Sequence, residues 1–201
     1  MTTYSDDCLL CNELFNTNAL SIQLGLCKNR DDMILFETES LILISDIRPV
    51  VPGHMLIVTK KHIPSFSWVQ VNVWQELATI KKEAVDLLIN HNNPPFFFEH
   101  GASTGSPLTS GCILHAHIHV IPYPINIIRY LIPISSNQPF ITPIDMKTSL
   151  PDKKMDYLYY ENYESHGCIV VNPKKPLPHQ FIRMVVAKEA GIVDWDWRNI
   201  L

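Results

Sequence analysis

Residues 115–119 read His-Ala-His-Ile-His and run on into Val120 and Ile121. Side chains alternate faces along an extended strand, so His115, His117 and His119 are expected on one side, with Ala116, Ile118 and Val120 in a core behind them. At roughly 3.3 Å per residue, neighbouring imidazoles start about 6.6 Å apart and the outer two about 13 Å apart. Three titratable nitrogen bases on one rigid face point to chemistry and not to packing. A strand-borne His-x-His pair can chelate one zinc ion. Metal–nitrogen bonds of about 2.0–2.1 Å then keep the third ring out of reach. At least one histidine is left to act as nucleophile, acid or base. A second set of candidates is Cys8-Leu9-Leu10-Cys11. Five cysteines make an odd number, and no basic-then-apolar leader opens the sequence, so metal ligation or redox use is favoured over a disulfide framework.

The elements that must hold these residues are readable from pattern. Leu41–Ile44 and Met55–Thr59 are apolar runs of strand length, separated by the turn residues Asp46-Ile47-Arg48-Pro49 and Pro52-Gly53. Between about Ser67 and His91 the period changes. Val73, Leu77, Ile80, Ala84 and Leu87 recur at steps of four and three, which predicts a surface helix that Asn92-Asn93-Pro94-Pro95 stops. Phe96-Phe97-Phe98 opens another strand, and a loop over 101–111 feeds the histidine segment. The fold class is α+β, an antiparallel sheet with a packed helix. Beyond Pro122, prolines crowd 122–151; a hairpin is expected from Tyr157–Tyr160 and Cys168–Val171, then a helix over 178–190 and a Trp-containing tail. We therefore expect a catalytic domain over 1–124 and a C-terminal extension over 125–201.

The pattern His-φ-His-φ-His-φ-φ (φ apolar) over 115–121 resembles the signature of the histidine triad superfamily of nucleotide hydrolases and transferases. Further motifs resemble it in order. They are the Cys-x-x-Cys of Cys8 and Cys11, the strand ending in an Asp-φ-x-Pro turn at Asp46–Pro49, and Pro52-Gly53-His54 leading to Lys60-Lys61-His62. Together they span about residues 6–124. The resemblance implies that His117 attacks the α-phosphorus of a nucleotide to form a covalent nucleotidyl-histidine, while His119 donates to the phosphate oxygens. It implies that Asp46 accepts the ribose hydroxyls, that Ile44 and Ile47 line the base, and that His54 lies at the edge of the site. Gly111 and Cys112 stand where relatives often carry Gln-Ser or Gln-Thr for phosphate contact, which leaves backbone N–H groups to serve. Glu99-His100-Gly101 stands where the smallest members have Asn-Glu-Gly. In zinc-bearing relatives, including the galactose-1-phosphate uridylyltransferases, the matching residues are structural zinc ligands. Here those are Cys8, Cys11, His62 and His115. A Gln-φ-φ-Arg helix and a Trp-containing tail like those of longer members place Gln180 and Arg183 facing a substrate or packing on the surface. Small relatives are commonly homodimers.

Composition excludes some classes. A net charge of −4 argues against general nucleic-acid binding, which needs a basic face. The greasiest stretch, 125–134, is short and broken by Asn126, Arg129 and Pro133, so no membrane span is expected. Cytoplasmic residence is the resulting expectation. Two alternatives stay open at this point. One is a zinc-dependent hydrolase with His115 and His117 as catalytic ligands. The other is a non-catalytic module that has kept the fold. Base preference, leaving group and acceptor are equally open.

Overall fold

The computed structural model describes residues 4–89, 94–102, 113–153, 155–173, 177–178 and 180–200, with the side chains of Trp197 and Ile200 also outside the description. Most of the expected loop over 101–111, including Gly111, and Cys112 beyond it therefore lie outside the described residues.

Eight strands form one mixed-length sheet: β1 (Ile34–Glu37), β2 (Leu41–Ser45), β3 (Met55–Thr59), β4 (Phe96–Gly101), β5 (His117–Ile121), β6 (Thr142–Pro143), β7 (Tyr157–Asn162) and β8 (His166–Val171). Their order across the sheet is β1-β2-β3-β5-β4-β7-β8-β6, and every pairing is antiparallel. The principal helices are α1 (Leu9–Phe15), α2 (Leu20–Gln23), α3 (Val73–Ile89), α4 (Ile128–Leu131), α5 (Met146–Ser149) and α6 (Phe181–Ala190). The architecture is α+β.

Alternation along the strands divides the sheet into two faces. Leu41 and Leu43, Met55 and Ile57, Ile118 and Val120, Phe97, Tyr157 and Tyr159 point one way, against Val73, Leu77, Ile80, Ala84 and Leu88 of α3. Each such side chain fully removed from water contributes roughly 1.5–3 kcal/mol. The helix stripe differs from the sequence expectation at one place: Leu88 is buried and Leu87 is 44% exposed. The step from Ala84 to the next core residue is four and not three. Glu76, in the first turn of α3, locks the helix to the β1–β2 turn by accepting from Thr38 Oγ1, Ser40 Oγ and Ser40 N–H.

The opposite face is covered in two pieces. Ile42, Ile44, Leu56 and Val58 pack against Cys8, Leu10, Cys11 and Leu14 around α1. Phe96, Phe98, Leu158, Tyr160, Cys168 and Val170 pack against Phe181, Ile182, Val185 and Val186 of α6. His117 and His119 lie on this face, between the two covers. The C-terminal residues thus extend the sheet that the first half begins. β7 pairs with the outer side of β4 over six residue pairs, Phe96↔Asn162 to Gly101↔Tyr157. That approach requires Gly101 to lack a side chain, because a Cβ there would sit 2.0 Å from the Tyr157 ring. The proline-crowded 122–151 segment contains short elements only, α4, a 3-10 turn, β6 and α5. Among the described residues, no helix is long and apolar enough to cross a membrane.

Candidate functional site

β5 begins at His117, two residues later than the pattern suggests, and this separates the three histidines. His115 lies just before the strand, held by backbone bonds from Ala116 N–H to Ile63 C=O and from Thr59 N–H to Ala116 C=O. His117 and His119 face one cavity, their ring centroids 5.1 Å apart, whereas the His115 ring packs edge-on against His62, also at 5.1 Å. One alternating run of three histidines therefore serves two places.

At the first place, Cys8 precedes α1 and Cys11 lies on its first turn, so both thiols reach the sheet end. Cys8 Sγ is 3.4 Å from His115 Nδ1; Cys11 Sγ is 3.4 Å from His62 Nδ1 and 3.5 Å from His115 Nδ1. The four ligand atoms all lie within 4.8 Å of one another. Tetrahedral zinc with bonds of about 2.3 Å to sulfur and 2.0–2.1 Å to nitrogen sets S···N separations of about 3.6 Å, so this donor set fits the ion. His115 Nε2 donates to the Thr59 carbonyl at 2.7 Å, which fixes its tautomer and turns the Nδ1 lone pair towards the thiols. Burial pushes the His115 pKa down to about 4 and the Cys8 thiol up to about 11. Both His115 nitrogens are committed, so neither is left for a zinc ion shared with His117.

At the second place, backbone groups assign the tautomers, because an N–H only donates and a carbonyl only accepts. His117 Nδ1 donates to the His115 carbonyl at 2.6 Å and leaves the lone pair on Nε2. Val50 N–H donates to His54 Nδ1 at 3.3 Å, so His54 carries its hydrogen on Nε2. That nitrogen is 2.9 Å from His119 Nδ1, which accepts and leaves His119 with an Nε2–H. Gly53, at φ +82°, makes the turn that aims His54 inward. Burial pulls the pKa of His117 below the usual histidine value, takes His54 to about 4 and His119 well down, so the three rings are neutral at pH 7. His54 is 2% exposed and lies behind His119.

The cavity is lined by Ile44, Asp46 and Ile47 from the β2–β3 connection, Leu9, Leu10 and Leu20 from the N-terminal helices, His117 and His119, and Gln180 to Arg183 at the start of α6. Asp46 Oδ1 accepts from Arg48 N–H at 2.8 Å; its Oδ2 accepts from Arg183 Nη1 at 3.0 Å and lies 3.7 Å from His54 Nε2. Gln180 enters α6 with a left-handed backbone, φ 52°, a strained geometry for a residue with a side chain, and its amide donates to Asp196 in the tail. His100 is a lining residue that the sequence reading noted only as a departure from the family pattern. It lies two residues beyond Phe98, which pairs with His119, and burial pushes its pKa down to about 4. The alternation of β4 was the signal for it, since His100 shares the face of Phe96 and Phe98. Gly111 and Cys112 lie outside the described residues. Asp46, His54 and His119 also bring three possible ligand atoms within 4.8 Å of one another, but the two ring nitrogens there share one hydrogen. Among the described residues, His117 belongs to neither ligand group.

An antiparallel sheet carrying paired neutral histidines over a largely apolar cavity defines a histidine triad protein. Residues 24–128 match the family described as scavenger mRNA decapping enzyme C-term binding, and the chain belongs to that family, within the histidine triad superfamily. No curated protein sequence matches the chain. Among solved structures, a HIT family hydrolase from Clostridium thermocellum is 21% identical, covering 61% of this chain and 94% of its own, with a TM-score of 0.40. A Hit-like protein involved in cell-cycle regulation from Bartonella henselae is 16% identical, covering 62% and 82%, with a TM-score of 0.43. A Zn-bound histidine triad family protein from Mycobacterium smegmatis is 20% identical, covering 47% and 67%, with a TM-score of 0.36.

Proposed function

We propose that this protein is a nucleotide hydrolase or nucleotidyl transferase that works through a covalent nucleotidyl-His117. The observation that carries this reading is the 2.6 Å bond from His117 Nδ1 to the His115 carbonyl, which leaves a neutral imidazole with its Nε2 lone pair in a cavity. Nε2 attacks the α-phosphorus, and the bond from phosphorus to the leaving group breaks with its electron pair. The leaving group takes up a proton from solvent as it departs. Water or a second acceptor then attacks the nucleotidyl group, gives up one proton to solvent, and returns His117 to its neutral state. Phosphoryl chemistry of this kind depends on positioning and on donors around the phosphate oxygens. His119 supplies the Nε2–H donor, and His54 is the positioning residue that keeps the hydrogen on that nitrogen. Asp46 accepts from the ribose, and Ile44 and Ile47 pack on the base.

Cys8, Cys11, His62 and His115 would hold a structural zinc ion that pins the N-terminal segment to the sheet end beside β5. Free thiols at this site suit a reducing compartment, and we place the protein in the cytoplasm. Residues 1–124 carry the reacting groups, and 125–201 supply the second wall of the cavity. A homodimer built on the outer edge of β4 would have to displace β7, so we place the whole site within one chain.

The test is intact-mass measurement after incubation with nucleoside phosphoramidates, nucleotide sugars, dinucleoside polyphosphates and a cap dinucleotide, the last chosen from the matched family's description. A gain of one nucleoside monophosphate, absent in His117→Ala, is the expected result, together with a turnover loss of roughly 10⁴-fold or more. Turnover without an adduct, abolished by chelator, overturns the reading in favour of metal-dependent hydrolysis. Neither adduct nor turnover overturns it in favour of a binding module.

A further inference from the structure

Residues 192–196 run back along α6. Ile192 N–H donates to the Ala187 carbonyl at 2.8 Å, the Trp195 carbonyl accepts from Arg183 Nε and Nη2 at 3.4 and 3.3 Å, and Asp196 accepts from the Gln180 amide. The helix from Ala187 back to Gln180 is roughly 10 Å long, and the extended chain from Ile192 to Asp196 reaches at most roughly 13 Å, so the return run has little slack. Gly191 makes the reversal at φ +69°, where a Cβ would meet nothing within 4 Å. Glycine is required there by the backbone angle and not by space, which leaves the turn room to move.

The side-chain clasps of this tail land on residues that line the cavity of His117 and His119. Asp194 pairs with Arg48, the Trp195 carbonyl with Arg183, and Asp196 with Gln180. Arg48 belongs to the β2–β3 connection and the other two to the start of α6, so the tail bridges opposite walls. The bridged cavity holds about 70 Å³. Sites that enclose drug-sized ligands run to about 300–1,000 Å³. Under the proposed function the walls must therefore part before base, ribose and phosphate can enter. Each clasp opens without stranding a charge. Asp194 keeps Asn199 Nδ2 at 3.1 Å, and Asp196 keeps the Arg198 guanidinium at 2.9 and 2.6 Å. Arg183 keeps Asp46 and the Arg48 carbonyl, and Arg48 turns to solvent. What is given up is the partly buried packing of Ile192 and Trp195 on the core beneath α6.

We propose that residues 192–200 are a strap over the cavity, hinged at Gly191, that swings off Arg48 and Gln180 to admit a nucleotide and closes again over it. The nucleotide as cargo rests on the reading above; the strap itself rests on the clasps and the cavity volume. Such a segment opens locally while the rest of the fold stays intact. Asp194 is the clasp to break first. Its side chain is 62% exposed, against 23% for Arg48, so the pair contributes little to folding and its loss acts on the strap.

The experiment is acylation of the full chain by diethyl pyrocarbonate, which needs a free imidazole lone pair and so reads access to His117 Nε2 without any nucleotide. Labelled positions are located by tandem mass, with His117→Ala as the blank and His166, in β8 outside the cavity, as the reference. We expect His117 to label much more slowly than His166 in wild type. D194N should speed it by about two- to fivefold, and D194N with D196A by about tenfold or more. Wild-type labelling as fast as at His166 would show an open cavity, and labelling unmoved by either change would put the gate elsewhere; both overturn the strap. Faster labelling that extends to His115, whose two nitrogens are committed, would report general loosening and overturns it too. If the double variant does not fold, D194N alone decides. In a His117→Ala background, D194N should also speed association and dissociation of AMP or GMP by a similar factor, because a strap that closes over its cargo slows exit as well as entry. Unchanged dissociation overturns the closure. Faster labelling with no binding of either nucleotide and no mass adduct on His117 upholds the strap and overturns the nucleotide reading.

Discussion

Two histidine pairs in this molecule sit at almost the same spacing and are prepared for opposite work. The His62 and His115 rings are 5.1 Å apart, and the His54 and His119 rings are 5.2 Å apart. What separates them is the partner of each second nitrogen. At the first pair, a carbonyl takes the hydrogen of His115 and two thiols face the lone pairs, so every donor atom converges on one enclosed point. At the second, a backbone N–H takes the lone pair of His54, and the hydrogen is passed along to emerge on His119 Nε2 in the cavity. Residue type alone does not make a histidine a ligand or a donor. The backbone group behind it does.

The comparison breaks most visibly at the closed cluster. Cys8→Ala should take bound zinc from one ion per chain to none. Losing a structural ion that ties α1 to the sheet should cost roughly 3 kcal/mol, which for a chain of this size lowers the melting temperature by about 6–12 °C. Elemental analysis and a thermal melt of wild type and variant check both numbers. A zinc-free wild type whose melt the substitution leaves untouched would erase the distinction between the two pairs.

The open cluster should respond in rate and not in metal. His54→Phe keeps an aromatic ring but removes the hydrogen that fixes the His119 tautomer, so kcat should fall by about 10- to 100-fold with zinc content unchanged. The same geometry sets a pH dependence. Burial holds the His54 pKa near 4, below the usual 6.5, so this ring stays neutral through the physiological range. Protonation on the acid side would add a hydrogen at Nδ1, where Val50 N–H already points. Titration of His54 should therefore add no limb to kcat/KM near pH 6, so wild type and His54→Phe should share the same acid limb, set by His117. A limb that moves in His54→Phe would show the His54 ring to be solvated and its hydrogen bond to His119 absent.

How much of this could be read from the chain depends on the range of the contacts involved. The β2 and β3 strands, the period of α3 up to Ala84, the β7–β8 hairpin and the histidine alternation are local patterns, and they carried the α+β class. Leu88 in place of Leu87 is a one-residue drift that only the facing strands determine. The turning of His115 away from its two companions was not legible, because backbone bonds from Ile63 and Thr59, more than fifty residues away, end the strand at His117. Arg183 was visible only as part of a Gln-φ-φ-Arg helix; its partner Asp46 is 137 residues distant. The seating of β7 on β4 was equally hidden, since an edge strand does not announce its partner. Apolar alternation tells which face a residue takes, and distant charges tell what it does there.

A last measurement tests whether the two faces of the sheet are chemically separate. On β4, His100 points to the cavity, while Glu99 points to the other face. There it accepts from Phe66 N–H at 2.8 Å and from Tyr157 Oη–H at 2.5 Å. Burial outweighs these bonds and pushes the Glu99 pKa up to about 8. The folded chain therefore holds this proton more tightly than the unfolded chain, whose carboxyl titrates near its ordinary 4.5. Between those values the native state binds more protons at this group, so the contribution of Glu99 to stability is fully present below about pH 4.5 and declines as pH rises towards 8, by at most about 1.4 kcal/mol per unit. Glu99→Gln cannot ionise and should flatten this part of the profile, leaving the variant relatively more stable at pH 9 than at pH 6. Denaturant melts across that range measure it, and parallel profiles for the two proteins would mean that the carboxyl is already ionised when folded. Turnover should not change, because the side chain lies behind the strand that separates it from His117. A matching loss of activity would instead join the two faces into one network, and the division between a packing face and a reacting face would have to be given up.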